Sequence, residues 1–323
     1  MNREERRIRP KMAHMDSYQW AFSRATGQKH RQALAVLLTG HTDPSDPAVQ
    51  QFLNFTRSQG LRLDELWVAR QGTRPIASVL IVPSAGRTAM MFLSPRSVMV
   101  DEVMPTLIQV ACGGQDPQHL RLIQCLLDPS QEQQRQSLRA ARFEDLAVLI
   151  YMQRCGEVRL SPPHFEDAGL TVLQWNNASR CQFATAITAS YEATLDCPSL
   201  LGLRMIDEVI DGHQATGQFC PETWFVFCRG HDPIGVMLLN EAAQGDTFEL
   251  VYLGLAKAFR RQGLARRILR FGLEVVHRRG VSGVILAVDE RNMPAVNLYR
   301  GLGFRSTGHK VAMIYALQNC NSV

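Results

Sequence analysis

The feature that most constrains this chain is that it is written twice. Moved by 161 residues, "HLRLIQCLLD" (119–128) falls on "GVSGVILAVD" (280–289), with Asp128 opposite Asp289. Phe143 then meets Phe304 without a gap. Upstream, "LWVARQGTRPIASVLIV" (66–82) falls on "WFVFCRGHDPIGVMLLN" (224–240) at a shift of 158, the three-residue difference lying in the hairpin loop between. "VLIYMQ" (148–153) resembles "AMIYAL" (312–317). One register held across a strand, a helix and another strand marks a tandem duplication. A length of 323 residues suits one large domain or two ordinary ones, and the repeat favours two. The boundary is expected near 155–165, where "CGEVRLSPP" reads as a linker. This divides the chain into a tail over 1–28, a first domain over 29–155 and a second over 156–323.

Strand-like and helix-like segments alternate in both halves, which favours an α/β or α+β fold. The second half is the clearer. "TWFVFCR" and "PIGVMLLN" read as two β-runs joined by a Gly-His-Asp-Pro turn, and "TFELVYLGL" is a third. Residues 260–279 switch to helical spacing, with Leu264, Ile268, Gly272, Val275 and Val276 on one side. Arg266, Arg270, Glu274 and Arg278 fall on the other. "VSGVILAVD" is a nearly continuous apolar strand, as in a sheet buried on both faces. "NMPAVNLYRGLGF" is a short helix closed by glycine, and "HKVAMIYAL" a final strand.

A hydrophobic content of 46% allows a sizeable buried core. The formal charge is +5, and seven arginines crowd into 260–279. A local cluster of that kind suggests an anionic ligand. No zinc-finger spacing or aromatic RNA-binding signature accompanies it, which argues against nucleic acid. The eight cysteines are scattered without a Cys-x-x-Cys pair, as expected of reduced thiols rather than a disulfide framework or a structural zinc site. The charged start is not a signal peptide, and no apolar run approaches the roughly 20 residues of a membrane span. Cytoplasmic residence is the expectation.

The arginine cluster has a definite shape. After "FELVYLGL", the loop "AKAFRRQG" leads into a helix starting near Leu264. A helix N-terminus offers unpaired N–H groups and a positive dipole end, which suits a phosphate. Gly263 lets the backbone approach an anion without a Cβ, small Ala265 does the same one residue inside, and Arg260 and Arg261 add charge. No Gly-Lys-Ser/Thr follows for a nucleotide–magnesium complex, so a diphosphate bound without metal is expected.

Here the chain resembles the GCN5-related N-acetyltransferase (GNAT) superfamily. Its pyrophosphate loop reads Arg/Gln-x-x-Gly-x-Gly/Ala, matched by Arg260-Arg261-Gln262-Gly263-Leu264-Ala265. The stretch "ILAVDERNMPAVNLYRGLGF" is similar to the family's second signature, a strand followed by Asn-x-x-Ala-x-x-Leu-Tyr and Gly-Phe. The close resemblance covers about 224–317, and the two-domain layout resembles that of the mycothiol synthases. It implies two tandem GNAT-like domains, each a mixed, mostly antiparallel twisted sheet flanked by helices.

It further implies acetyl-CoA as donor. Backbone groups around Leu253 and Leu255 would pair with the pantetheine arm, residues 260–265 would hold the pyrophosphate, and Asn292 would contact the arm. Asn292 also reads as a helix N-cap. Acyl transfer to an amine needs the amine deprotonated, the oxyanion stabilised and the thiolate helped to leave. Tyr299, at the family's Leu-Tyr position, is the candidate acid, against its reading as a core aromatic. Glu249 is the candidate base; strand alternation places it on the same face as Leu255. The oxyanion would meet a backbone N–H near Leu255. No Gly-x-Ser-x-Gly elbow or catalytic cysteine motif appears, so direct attack in a ternary complex is implied. His213, His277 and His309 read as surface residues.

The first half lacks these groups. At the 161-residue shift Arg260 becomes Met99, Gly263 becomes Glu102, Ala265 becomes Met104 with Pro105 beside it, Asn292 becomes Gln131 and Tyr299 becomes Leu138. A carboxylate at the diphosphate position repels it, so the first half is expected to bind no CoA and to buttress the second or wall its acceptor site. The acceptor, a small-molecule or peptide amine, should be chosen by residues 176–222. Their acidic members, among them Glu192, Asp196, Asp207, Glu208 and Asp211, either attract a cationic amine or, as the favoured reading, form solvated helix faces. A non-catalytic CoA-binding sensor or scaffold is the alternative function, and a nucleic-acid surface a third.

Overall fold

Each period-2 run pairs as a strand and each 3.6-period stretch packs as a helix in the computed structural model of the chain. It describes residues 20–317 apart from 28, 59, 96–101, 157–164, 166–168 and 244. The expected tail up to residue 19, most of the linker and Met99 lie outside the described residues. The first half runs β1 (Trp20–Arg24), α1 (Lys29–Thr39), α2 (Pro47–Ser58), β2 (Leu66–Gln71), β3 (Arg74–Ser84) and β4 (Thr88–Leu93). It continues with α3 (Val103–Gly113), β5 (Leu122–Leu127), α4 (Glu132–Ala140) and β6 (Glu144–Cys155). The second half repeats that order as β7 (Leu170–Gln174), α5 (Arg180–Ser190), α6 (Ile206–Gln214), β8 (Trp224–Arg229), β9 (Asp232–Glu241) and β10 (Thr247–Leu255). It ends with α7 (Leu264–His277), β11 (Gly283–Asp289), α8 (Met293–Arg300) and β12 (Arg305–Ala316).

The duplication is visible in the geometry. A bulge breaks the β2–β3 ladder between Ala69 and Arg70, opposite Pro75, and the β8–β9 ladder between Phe227 and Cys228, opposite Pro233. Proline has no N–H to give a ladder, so the same irregularity recurs at the same shift. One stretch departs from expectation. Trp20–Arg24, read as part of the tail, is an edge strand antiparallel to β2, because Trp20 and Phe22 alternate onto the first-half core.

All twelve strands form one mixed sheet in the order β1-β2-β3-β4-β5-β12-β6-β11-β10-β9-β8-β7. Among the described residues, only the β4–β5 and β10–β11 pairings are parallel. The order reads the same from either end when the halves are interchanged. The two expected mixed sheets are joined by an exchange of final strands: β6 lies beside β11 and β12 beside β5. Ile150 and Met152 of β6 enter the second-half core, while Val311 and Met313 of β12 enter the first-half core. Burying one such side chain contributes about 1.5–3 kcal/mol, so neither half completes its core alone. Among the described residues, no helix is long and apolar enough to cross a membrane.

Candidate active site

The sheet opens at one place that matters for chemistry. β10 pairs with β11 only over Thr247–Glu249 against Gly283–Ile285, yet follows β9 as far as Leu255 opposite Gly235. From Leu250 onward the β11 side of β10 is a gap. Ala256 N–H donates to Ile234 O at 2.9 Å, toward β9. Alternation along the strand turns the N–H and C=O groups of Leu253 and Leu255 the other way, to the gap.

A bulge between Leu250 and Tyr252 corrects one expectation. The extra residue reverses the side-chain alternation. Phe248, Leu250 and Leu255 all pack into the core under α7, whereas Val251 and Tyr252 pack on the α5–α6 face. Glu249, between Phe248 and Leu250, therefore faces α5 and α6, and Leu255 does not share its face.

The anion loop closes one end of the gap. Arg261 (φ 63°) and Gly263 (φ 76°) both take left-handed backbone, and α7 starts at Leu264. That conformation costs a non-glycine residue about 1 kcal/mol or more, which Arg261 carries and Gly263 avoids. No atom lies within 4 Å of where a Gly263 Cβ would stand, so conformation and open space, not packing, call for glycine. Leu264 anchors the helix start in the core, and Ala265 is half-buried. Arg261 is exposed, with no hydrogen bond or ion pair among the described residues. Gln262 Nε2 donates to Ala258 O at 2.9 Å, bracing the turn. Arg260 departs from its expected role. Its guanidinium donates to Leu255 O at 3.0 Å, Ala193 O at 3.0 Å and Ser190 O at 2.8 Å, stapling the end of α5 to β10.

The first half differs here. Glu102 occupies the N-cap of α3, Met104 is buried just inside, and Leu138 is a fully buried core residue. Gln131 stands at the N-cap of α4, but its side-chain oxygen accepts from Asp128 N–H at 2.7 Å and makes no cap bond, whereas Asn292 caps α8.

Tyr299 belongs to the core under α7 and lies within electrostatic reach of Asp196 and of Tyr252 on β10. It is 7% exposed, and its hydroxyl has no hydrogen bond among the described residues. Burial raises its pKa, helped by the nearby Asp196 and Tyr252. Asn292 Oδ1 accepts from Ala295 N–H at 3.3 Å, so the cap reading holds, and its amide nitrogen has no bond among the described residues.

Two carboxyls belong to this part of the sheet, Asp196 beside the phenol and Glu249 on the α5–α6 face, within electrostatic reach of Tyr151. Glu249 is half-buried, and burial raises its pKa. Asp196 is exposed when counted as a whole residue, but its carboxyl accepts from Asp289 N–H at 3.2 Å and lies within electrostatic reach of Tyr299 and Tyr252. Those neighbours place the carboxyl in the crevice, where burial raises its pKa against the Asp289 hydrogen bond. Tyr252 hydrogen-bonds Ser190 (Oη–Oγ 2.7 Å). Sequence places Asp196 only among the acidic residues of the acceptor segment and does not single out Tyr252 or Ser190; the bulge in β10 and the end of α5 bring the three together.

The wall opposite is built by α5 and α6. Asp207 and Asp211 pair with Arg180 on the surface, each at 2.9 Å, and Glu192 pairs with Lys257 at 2.9 Å. Glu208 is not a solvated helix face. It receives Arg87 at 2.9 Å and Arg121 at 3.0 Å from the first half, and accepts from Met205 N–H at 2.8 Å. The first-half turn at Gly86 (φ 73°) comes so close that a Cβ there would stand 2.2 Å from Glu208 O. His213 also departs from the surface reading. It stacks on Tyr252 with ring centroids 5.3 Å apart, and its Nε2 is buried without a partner. No group of three His, Cys, Asp or Glu side chains that could hold a metal occurs among the described residues.

Residues 193–304 match the model of the acetyltransferase (GNAT) family. A mycothiol acetyltransferase of Catenulispora acidiphila is 37% identical over 91 residues, 27% of this chain and 29% of that protein. N-acetyltransferase family 8 member 2 of Rattus norvegicus is 33% identical over 61 residues, 19% and 27% of the two chains. The matches thus span under a third of these relatives' lengths. In fold, a GCN5-related N-acetyltransferase from Sphaerobacter thermophilus superposes with a TM-score of 0.60 at 16% identity, over 93% of this chain and 96% of that one.

Proposed function

We propose that the chain is a tandem member of the GNAT superfamily whose second half, where the family model matches, transfers an acetyl group from acetyl-CoA to a primary amine by direct attack in a ternary complex. The observation that carries the reading is Tyr299: a buried phenol with an unengaged hydroxyl, close to Asp196 and to Tyr252 on β10.

Each group has a task there. The backbone N–H groups at Gly263–Ala265 and the free guanidinium of Arg261 hold the diphosphate. The open edge at Leu253 and Leu255 takes the pantetheine arm as an added strand, with the Asn292 amide beside it. A backbone N–H near Leu255 receives the oxyanion. Asp196 or Glu249 accepts the proton of the attacking amine, since burial keeps both carboxyls more basic than usual. Tyr299 donates its proton to the departing thiolate. The C–S bond breaks, a C–N bond forms, one proton leaves nitrogen and one reaches sulfur. The first half, with Glu102 where an anion would sit, binds no CoA and holds α6 in place through Arg87 and Arg121. The division near residue 156 into a supporting and a transferring half belongs to the same proposal.

Replacing Tyr299 by Phe tests it. We expect kcat to fall about 100-fold or more while the KM for acetyl-CoA and the Tm hold, because the hydroxyl bonds nothing in the protein. An unchanged kcat removes Tyr299 from the mechanism.

A further inference from the structure

On the α5–α6 face of the crevice stand three polar groups without a partner among the described residues, one of them with a fully buried atom. Arg204, two residues before α6, is half-buried, with no hydrogen bond or ion pair among the described residues. Its Nη1 is 3.1 Å from where a Cβ on Gly212 would stand, so the guanidinium lies on a bare stretch of α6. His213, the next residue along, keeps a buried Nε2 without a partner while its ring stacks on Tyr252. Tyr191 is half-buried, packs against the same α5–α6 core as Tyr252, and its phenol has no hydrogen bond among the described residues.

Burial disfavours the charged guanidinium of Arg204, and an anionic partner would offset that. The nearest acid does not relieve it. Glu208 is already shared by Arg87 and Arg121, which leaves three arginines around one carboxylate. The other end of the crevice has the opposite sign, with the Asp196 carboxyl near Tyr299. Tyr252 lies between the two ends, within reach of both Tyr191 and Asp196. The site is bipolar, and its complement is a molecule with an amine at one end and an anion at the other.

We propose that the acceptor is an amine that also carries a carboxylate, its amine at Asp196 and Tyr299 and its carboxylate on Arg204, with Tyr191 and His213 as further donors. The fork of an arginine matches a carboxylate with two parallel hydrogen bonds. Neutral His213 offers at most one N–H, and burial beside Arg204 keeps it neutral. The carboxylate is unchanged in the reaction, and the transfer step is the one given above. The inference rests on the transferase reading.

The test pairs acceptors that differ only in the carboxylate: L-lysine with cadaverine, L-ornithine with putrescine, L-phenylalanine with phenethylamine. CoA release from acetyl-CoA is measured with the full chain and with Arg204→Met and Arg204→Lys, whose folding is checked by Tm. In at least one pair the amino acid should exceed its partner in kcat/KM by about tenfold or more, a charge-assisted hydrogen bond's worth. Arg204→Met should abolish that preference chiefly through KM, and Arg204→Lys should restore part of it. Release that is equal within every pair, or greater for the plain amines, overturns the inference and leaves the transferase standing. Release from none of the six, with acetyl-CoA still raising the Tm, also overturns it. Release from none, with no effect of acetyl-CoA on the Tm, overturns the transferase reading itself.

Discussion

Glu208 joins the halves, and its replacement by Gln has a consequence that follows from its surroundings. The change keeps the shape but removes the charge that Arg87 and Arg121 share. The Glu208 side chain is 14% exposed, that of Arg87 27% and that of Arg121 31%. That places the cluster between a surface bridge, worth about 0–1 kcal/mol, and a buried one, whose breaking costs about 3–5. The expected loss is about 2 kcal/mol. With an unfolding entropy of roughly 2.1 cal/mol/K per residue, this lowers the Tm at pH 7 by about 3 °C. A pH signature accompanies it. Burial acts to raise the Glu208 pKa, but hydrogen bonds from Met205 N–H, Arg87 and Arg121 outweigh it and hold the carboxyl below its usual 4.5. A depressed acid stabilises the fold fully above its unfolded value and loses that contribution as pH falls through the folded one. Calorimetry should therefore show the gap between parent and variant closing below about pH 4.5. Equal Tm values at pH 7, or a gap that persists in acid, would refute the view of Glu208 as the clamp between the halves.

Other consequences concern the site. Burial raises the pKa of both Asp196 and Glu249, so kcat/KM should climb with pH through a carboxylate step above the usual range. Asp196→Asn or Glu249→Gln, whichever is the base, should remove that step and cost about 10²–10⁴ in kcat; full activity in both would exclude a carboxylate base. Burial, aided by Arg204, lowers the His213 pKa from 6.5 to about 4. Its neutral form favours folding above the unfolded value, and that contribution is lost as pH falls from 6.5 toward 4, up to about 3 kcal/mol. The Tm of the parent should thus drop more steeply over that window than that of His213→Phe, which keeps a ring on Tyr252; parallel curves would contradict the burial of the imidazole.

The repeat was legible because each copy keeps local patterns that survive divergence, down to Pro75 and Pro233 opposite their bulges. The apolar face of α7 was legible for the same reason. Leu264, Ile268, Gly272 and Val276 bury as their spacing predicts. The exchange of β6 and β12 was not. The two final strands descend from one sequence, so each suits the neighbours of either half, and only the whole sheet decides the pairing. A single extra residue in β10 inverted the inference that Glu249 and Leu255 share a face, since alternation gives no warning of a bulge. Arg260 illustrates a third limit. A motif shows that an arginine stands in the loop, while the carbonyls of Ser190 and Ala193 that engage it lie over 65 residues away. Asp196 and His213 acquire their roles from Tyr299 and Tyr252, which no local pattern connects to them.

The central claim is that the turn before α7 receives the diphosphate of acetyl-CoA and its counterpart before α3 does not. Thermal unfolding with and without acetyl-CoA, for the parent and for Gly263→Glu, tests it most directly. Ligand at about 100 times its Kd adds about 2.7 kcal/mol, which for a chain of this length is a Tm rise of roughly 4 °C. The account predicts that rise in the parent and none in Gly263→Glu, whose own Tm falls slightly because a side chain there must take a left-handed backbone. A parent that does not respond, or a variant that responds equally, would contradict it.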